Sequence, residues 1–331
     1  MKKYIYLDWN VYKYLKKSRL EERDKSGHDA DIAMRTLVSK LANSYCFPYS
    51  EGHIKDASNK YNPEMRDFIE DDFRFAETIN HQECIGYGNN GSELIFNTQK
   101  KPMLEFFDEY VNEKKSTLSI SNDDYNIAPF LVDMSKIGNE HPFYDFLVSN
   151  NGIMDMKRLD EYLESIFDEL FTGTSFYKKL RAYVEKLDTQ DMMNQSMSLD
   201  SRLLLDRHLY FLFPFFDSIS DSEEELARKW PRIAYHYLKM SNPNPPIEMQ
   251  LIQGYSLLDM HPLFREKLKK HKNTLDNIVR DGSHCFYASK AQYFISEDES
   301  TRKKISFIYK AYGIRTKVVS EAEFLNMVEV V

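Results

Sequence analysis

Residues 281–298 read Asp-Gly-Ser-His-Cys-Phe-Tyr-Ala-Ser-Lys-Ala-Gln-Tyr-Phe-Ile-Ser-Glu-Asp. The stretch predicts a helix over 282–291, opened by Asp281, and a short strand over 293–296. Asp298 follows that strand directly. Further on, 299–312 has helical spacing, 314–319 reads as a strand and 321–327 as a last short helix. Strand, helix, strand in that order implies parallel pairing with right-handed crossovers. The start of the chain has the same grammar. Residues 3–7 are a β-rich run ending at Asp8, and a helix begins near Val11. A second helix, 28–43, carries apolar residues at Ile32, Ala33, Leu37, Val38 and Leu41. Residues 45–48 read as another short strand, and Ser50 as the N-cap of the helix after it, with His53 three positions on. The predicted class is α/β, with one parallel sheet built from both ends of the chain.

The middle reads differently. From about 60 to 275 the pattern is mostly amphipathic and helical, as in 63–80, 102–114, 156–170, 175–186, 202–213, 223–240 and 248–258. Loops fall at 86–91 and 241–246, and 115–155 and 187–200 are too polar to place. Residues 1–60 and 275–331 are thus expected to form one domain, interrupted by a mostly α-helical insertion over 61–274.

Composition bounds the function. The chain has 331 residues, 44 basic against 52 acidic, and a net charge of −8. That argues against a strongly basic nucleic-acid coat. It does not exclude a nuclease, whose metal-binding carboxylates add negative charge of their own. No apolar window of about 18 residues is present, so no membrane partner is expected. Asp8 and Asn10 interrupt any signal-peptide core. Cys46, Cys84 and Cys285 have neither disulfide nor zinc spacing, and a reducing cytoplasm is the expectation. GxSxG, P-loop and HExxH motifs are absent.

Four acids fall where an open parallel sheet binds its ligands, beyond the carboxyl ends of its strands. They are Asp8, Asp56, Asp281 and Asp298. Gathered carboxylates repel and raise one another's pKa values, which makes sense if a divalent cation neutralises them. Hard oxygen ligands suit Mg²⁺ or Mn²⁺, and such a site suits phosphodiester hydrolysis. Glu51 competes with Asp56 for the second acidic position. His53 and His284 share helix faces with Asp56 and Asp281, at a spacing of three residues. Each residue has a plainer role open to it: helix cap for Asp8 and Asp281, turn residue for Asp298, solvated face for Asp56, first-turn acid for Glu51, structural hydrogen bonding for the histidines. Lys267, Lys269, Lys270, Arg302 and Lys303 are candidate phosphate contacts, with a solvated helix face as the alternative. The run at Tyr210, Phe211, Phe213, Phe215 and Phe216 reads as core.

These pieces resemble the PIN-domain nucleases. Tyr-Ile-Tyr-Leu-Asp-Trp-Asn is similar to that family's opening strand, with Asp8 and Asn10 in its Asp and Asn places. Pro48-Tyr-Ser-Glu-Gly-His-Ile-Lys-Asp is similar to its second element, with Asp56 six residues after Ser50 where the family more often has Glu. In the 281–298 stretch, Ala288 and Ala291 match small residues of the family's helix, Ser296 its Thr position and Asp298 its last acid. The resemblance covers residues 1–60 and 275–325, and the long middle region departs from it. It implies a PIN-like, Rossmannoid parallel sheet and a metal-dependent endonuclease, with RNA the favoured substrate and single-stranded DNA the alternative. It implies Asp8 and Asp281 as principal metal ligands, Asp298 as a direct or water-mediated ligand, and Asp56 as completing the cluster or orienting water. Asn10 would fix Asp8, and Ser296 would bond near the metal's waters. The family's habits suggest a toxin or defence role. The rival class is a catalytically weak PIN-like scaffold, its helical insertion serving a regulatory protein partner.

Overall fold

Ile5, Tyr6 and Leu7 are completely buried, as in a strand covered on both faces. In a computed structural model of the chain they form β1 (Ile5–Leu7), which pairs in parallel with β6 (Tyr293–Ile295). That model describes residues 3–59, 61–90, 93–116, 130–132, 134–136, 138–155, 158, 213–239, 242–265 and 275–328. β6 pairs in parallel with β7 (Lys317–Val319), giving the order β1-β6-β7. Leu7, Ile295 and Val319 stand in register, so the three strands end along one edge. The expected α/β class therefore holds at the level of a mixed fold with a small parallel sheet.

The predicted strand at 45–48 is reduced to two isolated bridges, Cys46 to Tyr4 and Tyr49 to Cys84, both parallel. Pro48 has no N–H to give a ladder, and Ser50 already caps the next helix, Glu51–Ser58. Through Tyr49 this segment meets β2 (Glu83–Asn90), which forms an antiparallel hairpin with β3 (Glu93–Lys100). The hairpin corrects the expected loop at 86–91 and adds strands to a middle expected to be mostly helical. Ile85 and Phe96 are buried within it.

The helix predicted over 282–291 runs instead over Leu275–Tyr287. Asp281 therefore lies inside the helix and does not open it. Asp-Gly-Ser looks like a start signal, but Gly282 and Ser283 are small because they are buried. Ala288 and Ala291 are buried beyond the helix end, where the Thr316 hydroxyl lies 3.0 and 2.7 Å from their carbonyl oxygens. Helices Trp9–Lys16, Lys25–Leu41, Glu299–Tyr312 and Glu321–Val328 match their predicted places to within a few residues.

The chain divides into two compact units, residues 1–115 with 280–331 and residues 116–279. Residues 61–115, read from sequence as the start of the insertion, belong to the first. Their helices Arg66–Asn80 and Met103–Ser116 bring Ile69, Phe73, Ala76, Met103 and Phe107 into the core that Ile5, Leu7, Val11 and Leu15 also build. In the second unit, helices Glu223–Lys239 and Ile247–Leu258 pack together, burying Trp230, Ile233, Leu238, Leu251 and Tyr255. A short antiparallel pair, β4 (Phe130–Leu131) and β5 (Ile153–Met154), also lies there. The segments expected at 156–170 and 175–186, and nearly all of 202–213, lie outside the described residues. No described helix is long and apolar enough to cross a membrane.

One guanidinium ties the first unit together on its polar side. Arg19 pairs with Asp31 at 2.8 Å, Glu297 at 2.7 Å and Glu321 at 3.2 Å. Asp31 and Glu321 are fully buried. Removing the cation would strand buried carboxylates, at a cost of about 3–5 kcal/mol. Burial, and then the neighbouring Asp31, push the Glu321 carboxyl up to about 9. Its Oε1 atom is buried without a hydrogen-bond partner, so no donor is there to favour the ionised form. The folded chain thus keeps a proton that the unfolded chain releases near the ordinary glutamate value. The stability this contributes is complete below that value and is lost as pH rises towards 9. We expect the unfolding midpoint to fall between pH 5 and 9, and Glu321→Gln to flatten that slope. An unchanged slope in the variant would contradict the protonated carboxyl.

Candidate metal centre

Asp8 is held before any ligand arrives. Its Oδ1 atom accepts the Trp9 amide at 2.7 Å and caps the helix Trp9–Lys16, while Oδ2 accepts the Ser296 hydroxyl at 2.7 Å. Strand pairing sets this geometry, because the Asp8 amide donates to the Ile295 carbonyl at 2.9 Å. Ser296 is itself buried and also accepts the Asp298 amide at 3.2 Å. Asp298 caps the helix Glu299–Tyr312 through the Thr301 amide at 2.9 Å. Cap and site roles thus coincide at both residues. The expectation that Asn10 fixes Asp8 is not met: Asn10 is exposed, and Ser296 and the Trp9 amide do that work. Ser296 likewise bonds the carboxylate directly.

Asp56, on the helix Glu51–Ser58, accepts His284 Nε2 at 2.9 Å through Oδ2, and its Oδ1 lies 3.4 Å from Arg280 Nε. The other nitrogen of His284 meets the Tyr6 hydroxyl at 2.8 Å. Tyr6 in turn lies 2.5 Å from the Ser50 hydroxyl, which lies 3.2 Å from His53 Nδ1. His53 Nε2 donates to the Leu7 carbonyl at 2.7 Å, and Nδ1 accepts the Ser50 amide at 3.0 Å. Both nitrogens of His53 are therefore spent, and it is a structural residue with no lone pair for a cation. Burial, and then the neighbouring His284, push it down to about 3. Gly52 is needed where it is, since a Cβ there would lie 3.1 Å from His284 Cε1.

Asp8, Asp56, Asp281 and Asp298 line one cleft of about 200 Å³. Glu51 does not line it. Its carboxylate takes the Tyr287 hydroxyl at 3.2 Å and pairs with Lys55 at 3.0 Å, so Asp56 is the second acid of the cleft. Trp9, Asn10 and Lys13 form the wall on one helix, and Asn59 and Thr301 complete it. Asp281 accepts no hydrogen bond from any described residue. Burial, then Asp56 and Asp8, push its carboxyl far above the ordinary range. Burial also raises Asp8, against the pull of His284. Asp56 moves the other way: burial would raise it, but His284, Arg280 and His53 hold it below the ordinary value. Burial opposes charge on His284, yet Asp56, Asp8 and Asp281 outweigh it and raise its pKa. One neutralised pair thus sits beside two carboxyls that resist ionisation.

The predicted basic contacts fare differently. Arg302 donates to the Ser296 carbonyl at 2.6 Å and braces the backbone. Lys303 is exposed on its helix and does not line the cleft. Lys267, Lys269 and Lys270 lie outside the described residues. Lys13 was not singled out in the sequence, although it stands one helical turn after Asn10. Arg280 was missed too, one residue before Asp281. Tyr6 carries no sequence signal, since a strand tyrosine reads as core.

No family model, curated protein or solved structure matches the chain.

Asp281→Asn removes one of the crowded carboxyls. We expect its metal-free unfolding midpoint to be unchanged or higher than wild type. We also expect it to lose stabilisation by Mn²⁺, which at a hundredfold excess over Kd should be about 2.7 kcal/mol for wild type. Wild-type Mn²⁺ stabilisation in this variant would remove Asp281 from the site.

Proposed function

We propose that the chain is a PIN-like, metal-dependent endonuclease that hydrolyses phosphodiester bonds, with RNA as the favoured substrate. The observation that carries this reading is the convergence of Asp8, Asp56, Asp281 and Asp298, from four separate segments, on one cleft. The unpaired Asp281 carboxyl fits a cation-binding role, because a carboxyl with no protein donor and two acidic neighbours is relieved by positive charge. Oxygen donors of this kind suit Mg²⁺ or Mn²⁺. When bound, such a cation would supply Lewis acidity, neutralising a phosphate oxygen and making a nearby water more acidic.

The chain's own residues divide the remaining work. Ser296 and the Trp9 amide hold Asp8 at a fixed angle, and Thr301 does the same for Asp298. His284 and Arg280 keep Asp56 ionised and in place. Lys13 lines the cleft with no carboxylate partner among the described residues, its ammonium 5.6 Å from the centre of the Trp9 ring. It is placed to meet a phosphate of the substrate, offsetting the repulsion between a polyanion and an acidic cleft.

The deciding experiment is cleavage of end-labelled single-stranded RNA and DNA with Mg²⁺, Mn²⁺ or EDTA, beside Asp8→Asn. Metal-dependent cutting that the variant lacks is expected, on RNA in preference to DNA. A folded wild type that cuts neither would overturn the reading, and preferential DNA cutting would change the substrate. Lys13→Ala should weaken binding evenly across sequences and lower the salt-dependence slope by about 0.7. An unchanged slope would remove Lys13 from the substrate path.

A further inference from the structure

The metal-ligand resemblance implies an all-oxygen site, but the group of donor atoms that converges among the described residues is not all oxygen. One oxygen each from Asp8 and Asp56 and one ring nitrogen of His284 lie within 4.8 Å of one another. Bonds of about 2.0–2.2 Å place donors at most about 4.4 Å apart across one ion, so a small dication would draw these atoms together by a few tenths of an ångström. We propose that His284 is itself a metal ligand, through Nε2, and that the resulting two-carboxylate, one-imidazole set selects a first-row transition dication over Mg²⁺. This rests on the metal-site reading above and deepens it by naming the cation class.

Three features of the His284 seat support the assignment. First, the ring is buried and boxed in by Tyr6 and His53, with ring centres 5.7 and 5.0 Å away. Gly52 supplies the close approach on one edge. The imidazole therefore has one orientation and no freedom to swing away. Second, its two nitrogens have different tasks. Nδ1 lies 2.8 Å from the Tyr6 hydroxyl, inside the core, while Nε2 faces Asp56 in the cleft wall at 2.9 Å. A histidine that binds metal through one nitrogen characteristically donates the other N–H to a fixed partner. The chain from His284 Nδ1 through Tyr6 and Ser50 to His53 Nδ1 can run in that direction throughout. His53 Nε2 must donate to the Leu7 carbonyl, which leaves His53 Nδ1 as the acceptor at the far end, its lone pair shared between the Ser50 amide and the Ser50 hydroxyl. Third, the chemistry of the set discriminates. Mg²⁺ prefers oxygen and keeps its waters, whereas imidazole suits transition dications, whose affinities rise from Mn²⁺ along the series. In the metal-free chain Nε2 shares its hydrogen with Asp56, and ligation releases that hydrogen to solvent as the cation takes its place.

The test needs no activity. Mn²⁺ is added to the metal-free full chain and the bound ion is read by pulsed electron paramagnetic resonance. A directly coordinated ¹⁴N signal is expected, replaced by the ¹⁵N pattern when the histidines are ¹⁵N-labelled and lost in His284→Gln. Titration should show Mn²⁺ affinity falling about tenfold or more in that variant, and Mg²⁺ affinity changing much less. Tyr6→Phe, which keeps the ring and removes the hydroxyl, should weaken Mn²⁺ without abolishing the ¹⁴N signal. Mn²⁺ bound to wild type with no ¹⁴N coupling would overturn the proposal and leave an all-carboxylate site standing. Equal losses for Mn²⁺ and Mg²⁺ in His284→Gln would overturn the selectivity. No Mn²⁺ binding to folded wild type would overturn both this proposal and the metal-site reading beneath it.

Discussion

The parallel pairing of Ile5–Leu7 with Tyr293–Ile295 is the constraint on which the candidate site depends. Each strand is only three residues long, yet the register sets Leu7 beside Ile295 and therefore Asp8 beside Ser296. Two acids, Asp8 and Asp298, leave that edge and cap the helices that follow. Helix dipoles favour negative charge at these points, so the carboxylates are stabilised locally as well as by any cation. A one-residue slip in this pairing would send Asp8 to the opposite face and disperse the cluster.

The first unit holds two acidic clusters and treats them differently. Around Arg19, the carboxylates of Asp24, Asp31, Glu297 and Glu321 share one guanidinium, and burial, with the shortfall in positive charge, pushes the Glu321 carboxyl up. That arrangement is closed, because Asp31 and Glu321 are fully buried. The cleft is open, and its shortfall is left standing. Asp56 has His284 and Arg280, Asp8 has two neutral donors, and Asp281 has no hydrogen-bond donor among the described residues. The two clusters meet along the chain, since Glu297 of one adjoins Ser296 and Asp298 of the other. The Arg19 network therefore braces the segment that carries the last acid.

Much of the frame was legible because it rests on local signals. Asp8 after an apolar run, Ser50 as a cap and the 299–312 helix follow from caps and periodicity alone. The helix around Asp281 was misplaced because the same small residues that signal a helix start also permit close packing. Gly282 and Ser283 serve the second purpose. The hairpin is hidden because Gly86, Gly88 and Gly91 read as a flexible loop, and its bridge to Tyr49 reaches far upstream. His284 was noticed as a neighbour of Asp281, but its bonds to Asp56 and Tyr6 join residues more than two hundred positions apart. No spacing rule reaches that far. Lys13 is hidden for the opposite reason: a run of several basic residues has a compositional signature, whereas a single lysine facing the cleft has none.

The discontinuity of the sheet has a consequence in time. The ribosome delivers β1 well before its partner β6 and the strand beyond it, with most of the described elements made in between. Until then β1 has an empty side where β6 will lie, Asp8 lacks the Ser296 hydroxyl, and neither Asp281 nor Asp298 exists. Domains fold as their segments emerge, so the nascent chain can carry core helices without carrying a cleft. The order of translation thus acts as a delay, keeping the acidic centre unassembled until Asp281 and Asp298 have followed Asp8 out of the ribosome.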